Sequence, residues 1–393
     1  MKRISDLSGA LIGEIFYRVP LTSLHLVRST CKKWNDLTKN RILGKKAAAR
    51  SQFLEFMMTN STLSSFRFNL QGIENKDDQD LLDHLSIKQI TSIPNNNQVE
   101  ISQVFHCDGL LLCVSRDHLT LFVWNPYLGQ TRLVQPRNKL NICDRYAIGY
   151  DNDRNHKILR LVNDGRPSKI LIDVYDFSSD SWRFLDVDPS TDVEYHNGLS
   201  LKGNTYFFGQ EVTTTGIVVP NQGETVTDIE DYLVCFDFTR ESFGPRLPLP
   251  FDPPYPCFEC VSLSWVRDEK LAVLYSHYET PEIIEIWITT KIELNAVSWS
   301  SFLKLDLSLI NGLPDGFSFD CEPSSFFIDE EKKIAVLFDY DGATNFRYQM
   351  AYIIGGDGSF KSVNTGIVSN PRFDCGKLVC SSYVPSLVHV QVN

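Results

Sequence analysis

Five stretches of this 393-residue chain are variants of one another, and that self-similarity limits its fold more than any other feature. Aligned, they read "LFVWNPYLGQTRLV" (121–134), "IDVYDFSSDSWRFL" (172–185), "LVCFDFTRESFGPRL" (233–247), "IEIWITTKIELNAVSWSSFLKL" (284–305) and "MAYIIGGDGSFKSV" (350–363). Each joins a short apolar run to a second run across a polar turn. In the first three, an aromatic residue (Trp124, Tyr175, Phe236) is followed by Asn or Asp, and Thr131, Trp182 and Phe243 stand seven residues later. Trp287 with Trp299 and Tyr352 with Phe360 mark the last two units, and successive anchors lie 51, 61, 51 and 65 residues apart.

A second hairpin precedes each anchor: "YAIGYDNDRNHKILRLV" (146–162), "LSLKGNTYFFG" (199–209), "LSWVRDEKLAVLY" (263–275) and "FFIDEEKKIAVLF" (326–338), with "HCDGLLLCVSRDHLTLFVW" ahead of the first. Four short strands in about 50 residues is the unit of a β-propeller blade. The expectation is an all-β, β-propeller-like domain of five to seven blades, six favoured. The sixth would combine "FLEFMM" (53–58) and "SSFRFNL" (64–70) with the tail "KLVCSSYVPSLVHV" (377–390), a closure that removes exposed sheet edges. The Trp and Tyr anchors read as core rather than as sugar-stacking platforms.

The head differs from this body. Residues 1–50 carry eleven Lys/Arg against Asp6, Glu14 and Asp36, a balance of +8, whereas the whole chain is −11, which leaves −19 for the remainder. Two parts with different partners are implied, the basic part suited to an acidic protein more than to nucleic acid, because the acidic body repels phosphate backbones. Leu11, Ile12, Ile15, Phe16 and Val19 form one helical stripe that ends at Val19-Pro20; Thr22 or Ser23 caps a new start, and Leu24, Val27, Cys31, Trp34 and Leu37 continue at helical spacing. So small a unit, below about 40 residues, cannot bury that many apolar positions within itself, and the surplus face calls for a protein partner.

The stretch "LSGALIGEIFYRVPLTSLHLVRSTCKKWNDL" (7–37) resembles an F-box. Leu7, Leu11, Ile15, Val19-Pro20, Ser23-Leu24, Arg28, Lys32 and Trp34 fall on the F-box pattern without a gap, with Ser8 in place of the usual proline. The body from about residue 100 resembles the F-box-associated interaction domain of a large plant family related to kelch propellers, through "CDGLLLCV", "VWNPYLGQTR", "YAIGYD", "VYDFSSDSWR" and "VEYHNGLSLKGNTYFFG"; the paired kelch glycines are absent from most units. The resemblance implies a small all-α F-box module of three short helices (1–45) followed by the β-propeller-like domain (46–393). It further implies a substrate-recognition subunit of an SCF-type ubiquitin ligase. Leu7, Leu11, Ile15, Val19, Pro20, Leu24 and Trp34 would bind a Skp-type adaptor, with Arg28 and Lys32 at a charged rim. A cullin scaffold would join through the adaptor, and the propeller loops would hold a target protein.

Catalytic and metal motifs are weak throughout. "DNDRNHK" (151–157) begins like a calcium loop but has His156 where Gly is needed and Val162 where a bidentate Glu is needed; it reads as a hairpin turn. Cys257 and Cys260 find no second pair at zinc spacing in Cys375 and Cys380, His106-Cys107-Asp108 is no spatial triad by sequence alone, and "IIGGDG" (353–358) lacks the Lys-Ser/Thr of a phosphate loop. No cofactor, no metal and no catalytic residue is expected. Nor is a membrane partner, since no apolar run approaches the roughly 20 residues of a span, so the chain is read as intracellular, in cytoplasm and/or nucleus. Its ten cysteines are then read as free thiols. Two stretches read as recognition surface or as plain linkers: "EVTTTGIVVPNQGETVTDIED" (211–231) and "LPLPFDPPYPC" (247–257). The rival reading is a free-standing propeller that binds a small ligand or glycan in a polar, aromatic-lined centre, with the head as a structural cap; a helix-turn-helix DNA-binding head lacks a second helix with base-reading side chains.

Overall fold

The structure is a computed structural model. It describes residues 11, 12, 15, 27, 29–30 and 32–35 of the head, 53–59, 62–68 and 85–89. It also describes 100–390 apart from 118, 139–143, 164–169, 187–192, 196–197, 219–224, 252–259, 267–268, 277–279, 281, 311, 314–324, 341–347, 368–377, 381–382 and 384. The described head residues are helical. The described elements after them are antiparallel strands and one short 3-10 helix, Leu307–Leu309.

Three strands come first: β1 (Phe53–Thr59), β2 (Thr62–Phe68) and β3 (Leu85–Gln89). Five blades follow in chain order. Blade 1 holds β4 (Ile101–Cys107), β5 (Leu110–Ser115), β6 (Leu121–Asn125) and β7 (Gln130–Val134), and blade 2 holds β8 (Arg145–Tyr150), β9 (His156–Asn163), β10 (Ile170–Asp176) and β11 (Ser181–Leu185). In blade 3, β12 (Val193–Tyr195) and β13 (Leu199–Leu201) share one edge of β14 (Asn204–Val218), which pairs β15 (Thr225–Asp237) and through it β16 (Ser242–Phe243). Blade 4 is β17 (Cys260–Val266), β18 (Lys270–Ser276), β19 (Ile283–Glu293) and β20 (Ala296–Asp306); blade 5 is β21 (Ser325–Asp329), β22 (Ile334–Tyr340), β23 (Tyr348–Gly355) and β24 (Phe360–Ile367). Finally β25 (Leu378–Cys380) returns to pair with β1, so that one sheet, ordered β25-β1-β2-β3, joins both ends of the propeller region.

The repeat identified in the sequence is the outer hairpin of each blade. Trp124, Tyr175 and Phe236 stand on the third strands, directly across from Thr131, Trp182 and Phe243 on the fourth. The Asn or Asp that follows each aromatic shapes the turn: Asn125 Oδ1 accepts the amides of Tyr127 and Leu128, Asp176 that of Ser178, and Asp237 those of Thr239 and Arg240. Four residues beyond, the chain takes a left-handed conformation at Gly129, Asp180 and Glu241. A short polar side chain that mimics a backbone turn explains why Asn or Asp occupies that position in those units.

The faces of consecutive blades pack on each other. Middle strands are therefore buried on both sides: β5 and β6 are buried at every position, whereas the outer β11 alternates between exposed and half-buried. Blades 1 and 2 share a core containing Val123, Ile148 and Ile158; blades 2 and 3 one with Leu159, Val174 and Phe236. Trp265 and Leu271 join Leu201 and Cys235 between blades 3 and 4, and Ile286 meets Phe326 and Tyr352 between blades 4 and 5. Each such side chain contributes about 1.5–3 kcal/mol on full burial.

Three expectations change. The favoured count of six blades is not carried: five blades follow in succession, and the sheet made from both ends has side chains outside the described residues except at Leu63. Strand periodicity sets the blade unit, but the number of blades depends on face-to-face packing, which strand patterns do not encode. In the fourth unit the anchor is displaced: β19 alternates so that Ile284, Ile286 and Ile288 enter the core, and Trp287 stands half-buried on its other face. The described residues of the 211–231 insertion are strand and not loop. They extend β14 and β15 into a long ribbon, paired from Thr205↔Phe236 out to Val218↔Thr225.

Candidate functional site

In the head, Leu11 and Ile15 lie one helical turn apart and so share a face, and both are exposed, at 55% and 43%, while neighbouring Ile12 is completely buried. A helix that buries one apolar residue and offers two others to solvent presents a ready contact surface. Lys32 and Lys33 are exposed on the later helical segment and Trp34 is half-buried; Thr30 Oγ1 donates to the Val27 carbonyl at 2.6 Å. Of the residues assigned to adaptor binding, the structure places Leu11, Ile15, Lys32 and Trp34 on helix; Leu7, Val19, Pro20, Leu24 and Arg28 lie outside the described residues.

In the propeller, the first strands of the blades approach one another and are tied together. Ser200 Oγ donates to Ile148 O, Trp265 Nε1 to Ser200 O and Ser264 Oγ to Phe326 O, which links blades 2 to 5 in sequence. His106 of β4 packs against the edge of Trp265 at 6.2 Å and beside Tyr383 of the tail at 5.7 Å. All three rings are buried. Burial pushes the His106 imidazole down to about 4, against the Asp108 carboxylate, which pulls it up. The neutral ring accepts the Gly109 amide N–H. His106, Cys107 and Asp108 thus form a tight turn and its support, not a catalytic constellation.

The "DNDRNHK" stretch is the hairpin turn between β8 and β9. Asp151 Oδ1 accepts the amides of Asp153 and Asn155, and its Oδ2 lies 3.1 Å from Lys157 Nζ, which also reaches Glu241 at 2.9 Å. Burial works to raise the Asp151 and Glu241 carboxyls, but hydrogen bonds and the Lys157 ammonium hold both below the usual range. "IIGGDG" likewise is a β23–β24 turn, closed by Gly355 N donating to Ser359 O at 2.8 Å. Cys257 and Cys375 lie outside the described residues. Among the described residues no group of three or more His, Cys, Asp or Glu could hold a metal ion, and no helix is long and apolar enough to cross a membrane.

A polar cleft of about 300 Å³ opens where the β8–β9, β13–β14 and β15–β16 turns meet, lined by Tyr150, Asp151, Arg154, Lys202, Asp237 and Arg240 among others. Sequence reasoning passed over Lys202 and Arg240. The available signal was "LKGN", in which Lys stands where a tight hairpin favours Asn before Gly.

A helical head that offers an apolar face, ahead of a β-propeller, defines a protein of two modules. The comparisons agree in sequence. The F-box domain family matches residues 4–46, and the F-box-associated beta propeller domain family matches residues 54–390. The chain is 62% identical over 396 residues to F-box protein At3g49510 of Arabidopsis thaliana, and 52% identical over 407 residues to F-box/kelch-repeat protein At3g13680 of the same plant; all of this chain is covered in both, with 100% and 98% of the relatives. The chain belongs to the F-box proteins that carry an F-box-associated β-propeller domain.

Proposed function

We propose that this protein is the substrate-recognition subunit of an SCF-type ubiquitin ligase, with an F-box over 1–45 and a target-binding propeller over 46–393, acting in cytoplasm and/or nucleus. The observation that carries the proposal is the exposed Leu11–Ile15 pair beside buried Ile12, inside the segment that matches the F-box. Covering the remaining exposed half of each side chain with an adaptor is worth about 1 kcal/mol apiece. Leu7, Val19, Pro20, Leu24 and Trp34 extend the apolar contact, and Arg28 and Lys32 steer an acidic Skp-type adaptor, through which a cullin is recruited. The protein supplies proximity and orientation, and the covalent chemistry belongs to other subunits. The rival reading called for a polar, aromatic-lined central pocket with convergent side chains; His106 packs instead against Trp265 and against Tyr383, and all three rings are buried.

Co-purification with a Skp-type adaptor tests the proposal. The full chain should retain the adaptor, and Leu11→Asp/Ile15→Asp should lose it while the propeller keeps its melting temperature. A folded wild-type chain that retains no adaptor would overturn the receptor reading.

A further inference from the structure

We propose that the cleft between blades 2 and 3 binds a short acidic segment of a protein target. This rests on the receptor reading and assigns it a place and a ligand chemistry.

Five charged side chains line the cleft, and they are not equivalent. The two carboxylates are spent on their own turns: Asp151 on the amides of Asp153 and Asn155 and on Lys157, and Asp237 on the amides of Thr239 and Arg240. The cations point outward. Lys202 is exposed and has no ion-pair partner among the described residues; Arg240 is 75% exposed and only 3.7 Å from Asp237 at its Nε. Arg154 lies 4.0 Å over the Tyr150 ring and is held by Asp108 at 3.2 Å, so it forms a fixed wall and not a free charge. What a ligand meets is cationic, on a body whose balance is −19.

The site is rigid before any ligand arrives. Tyr150 N donates to Gly203 O at 3.0 Å and Asn152 N to Thr239 Oγ1 at 3.0 Å, so one backbone bond and one bond to a side chain tie the β8–β9 turn to the other two. A cleft that does not have to reorganise loses less on binding. Nucleic acid is a poor candidate, because its long phosphate backbone would extend over the acidic surroundings, whereas a few carboxylates fit within the patch.

The test is fluorescence anisotropy of the full chain with a labelled octaglutamate peptide, beside octalysine and a neutral Gly-Ser peptide. Octaglutamate should bind in preference to both and weaken as salt rises. Lys202→Asn/Arg240→Gln should weaken it about tenfold or more, because both exposed cations at the cleft are gone. Lys202→Asn gives the hairpin the favoured Asn-Gly turn, so the variant should melt no lower than wild type and a folding defect cannot imitate the result. Lys304→Gln/Lys332→Gln, which removes the same amount of charge from exposed lysines on blades 4 and 5, should leave binding unchanged. Octaglutamate binding that survives Lys202→Asn/Arg240→Gln, that falls equally in the blade 4 and 5 variant, or that is absent from wild type would overturn the proposal. Adaptor capture measured on the same preparations separates the readings: chains that retain the adaptor but ignore octaglutamate overturn only this assignment.

Discussion

His106 shows how one buried side chain sets a pH limit on the fold. Burial lowers its imidazole from 6.5 to about 4, the nearby Asp108 notwithstanding, so the folded protein holds the ring neutral where an unfolded chain would begin to protonate it. The sign follows directly. A depressed value in the folded state gives stability that is complete above pH 6.5 and is lost as pH falls from there towards 4. Thermal melting at a series of pH values should show wild type losing stability through that window, and His106→Gln losing less of it, even if the variant starts lower. Gln retains an acceptor for the Gly109 amide, so the comparison isolates the titration. Asp151 and Glu241, depressed by their hydrogen bonds, add a further loss at lower pH that both proteins share.

At the scale of the element, the hairpin is where sequence and structure meet most closely. Asn125, Asp176 and Asp237 could be recognised from composition and spacing because their task is local: each organises the next few residues of its own chain. Trp287 was misjudged for the opposite reason. Its unit has the same apolar run, but alternation along β19 gives the shared core to Ile284, Ile286 and Ile288 and leaves Trp287 on the other face, and which face meets the next blade is not set by the strand's own residues. The head was legible as a helical stripe with surplus apolar faces, and Leu11 and Ile15 do share an exposed face. The cleft was not legible, since its cations come from hairpins separated along the chain. Contacts between blades also decide which glycines matter. A methyl group at Gly149 would overlap the Phe238 ring and the Gly203 carbonyl oxygen. Gly149→Ala should therefore destabilise the domain by about 1–3 kcal/mol, measured by denaturant unfolding. At Gly358, where nothing lies within 4 Å, the same change meets no atoms and loses only what its positive φ of 81° imposes, about 1 kcal/mol.

For the molecule as a whole, the C-terminal tail is a structural component. Asn125 Nδ2 donates to Ser386 O and Val388 O, Tyr383 Oη donates to Gly109 O at 2.9 Å, and Val390 is buried in the core of blades 1 and 2. Deletion of residues 381–393 removes these bonds and exposes blade 1, and should lower stability by about 3 kcal/mol or more in denaturant unfolding. A protein that lost the tail without a change in midpoint would show that blade 1 holds itself. The pairing of β1 with β25 extends the same logic to the living cell. Phe56 opposes Cys380, partners made near the beginning and the end of synthesis. At about 5–20 residues per second the ribosome needs roughly 20–80 s for a chain of this length. Throughout that time β1 has been made while its partner does not yet exist, so each nascent copy carries an open strand edge of the kind chaperones guard, and a ribosome that stalls short of codon 380 releases a product unable to complete that sheet.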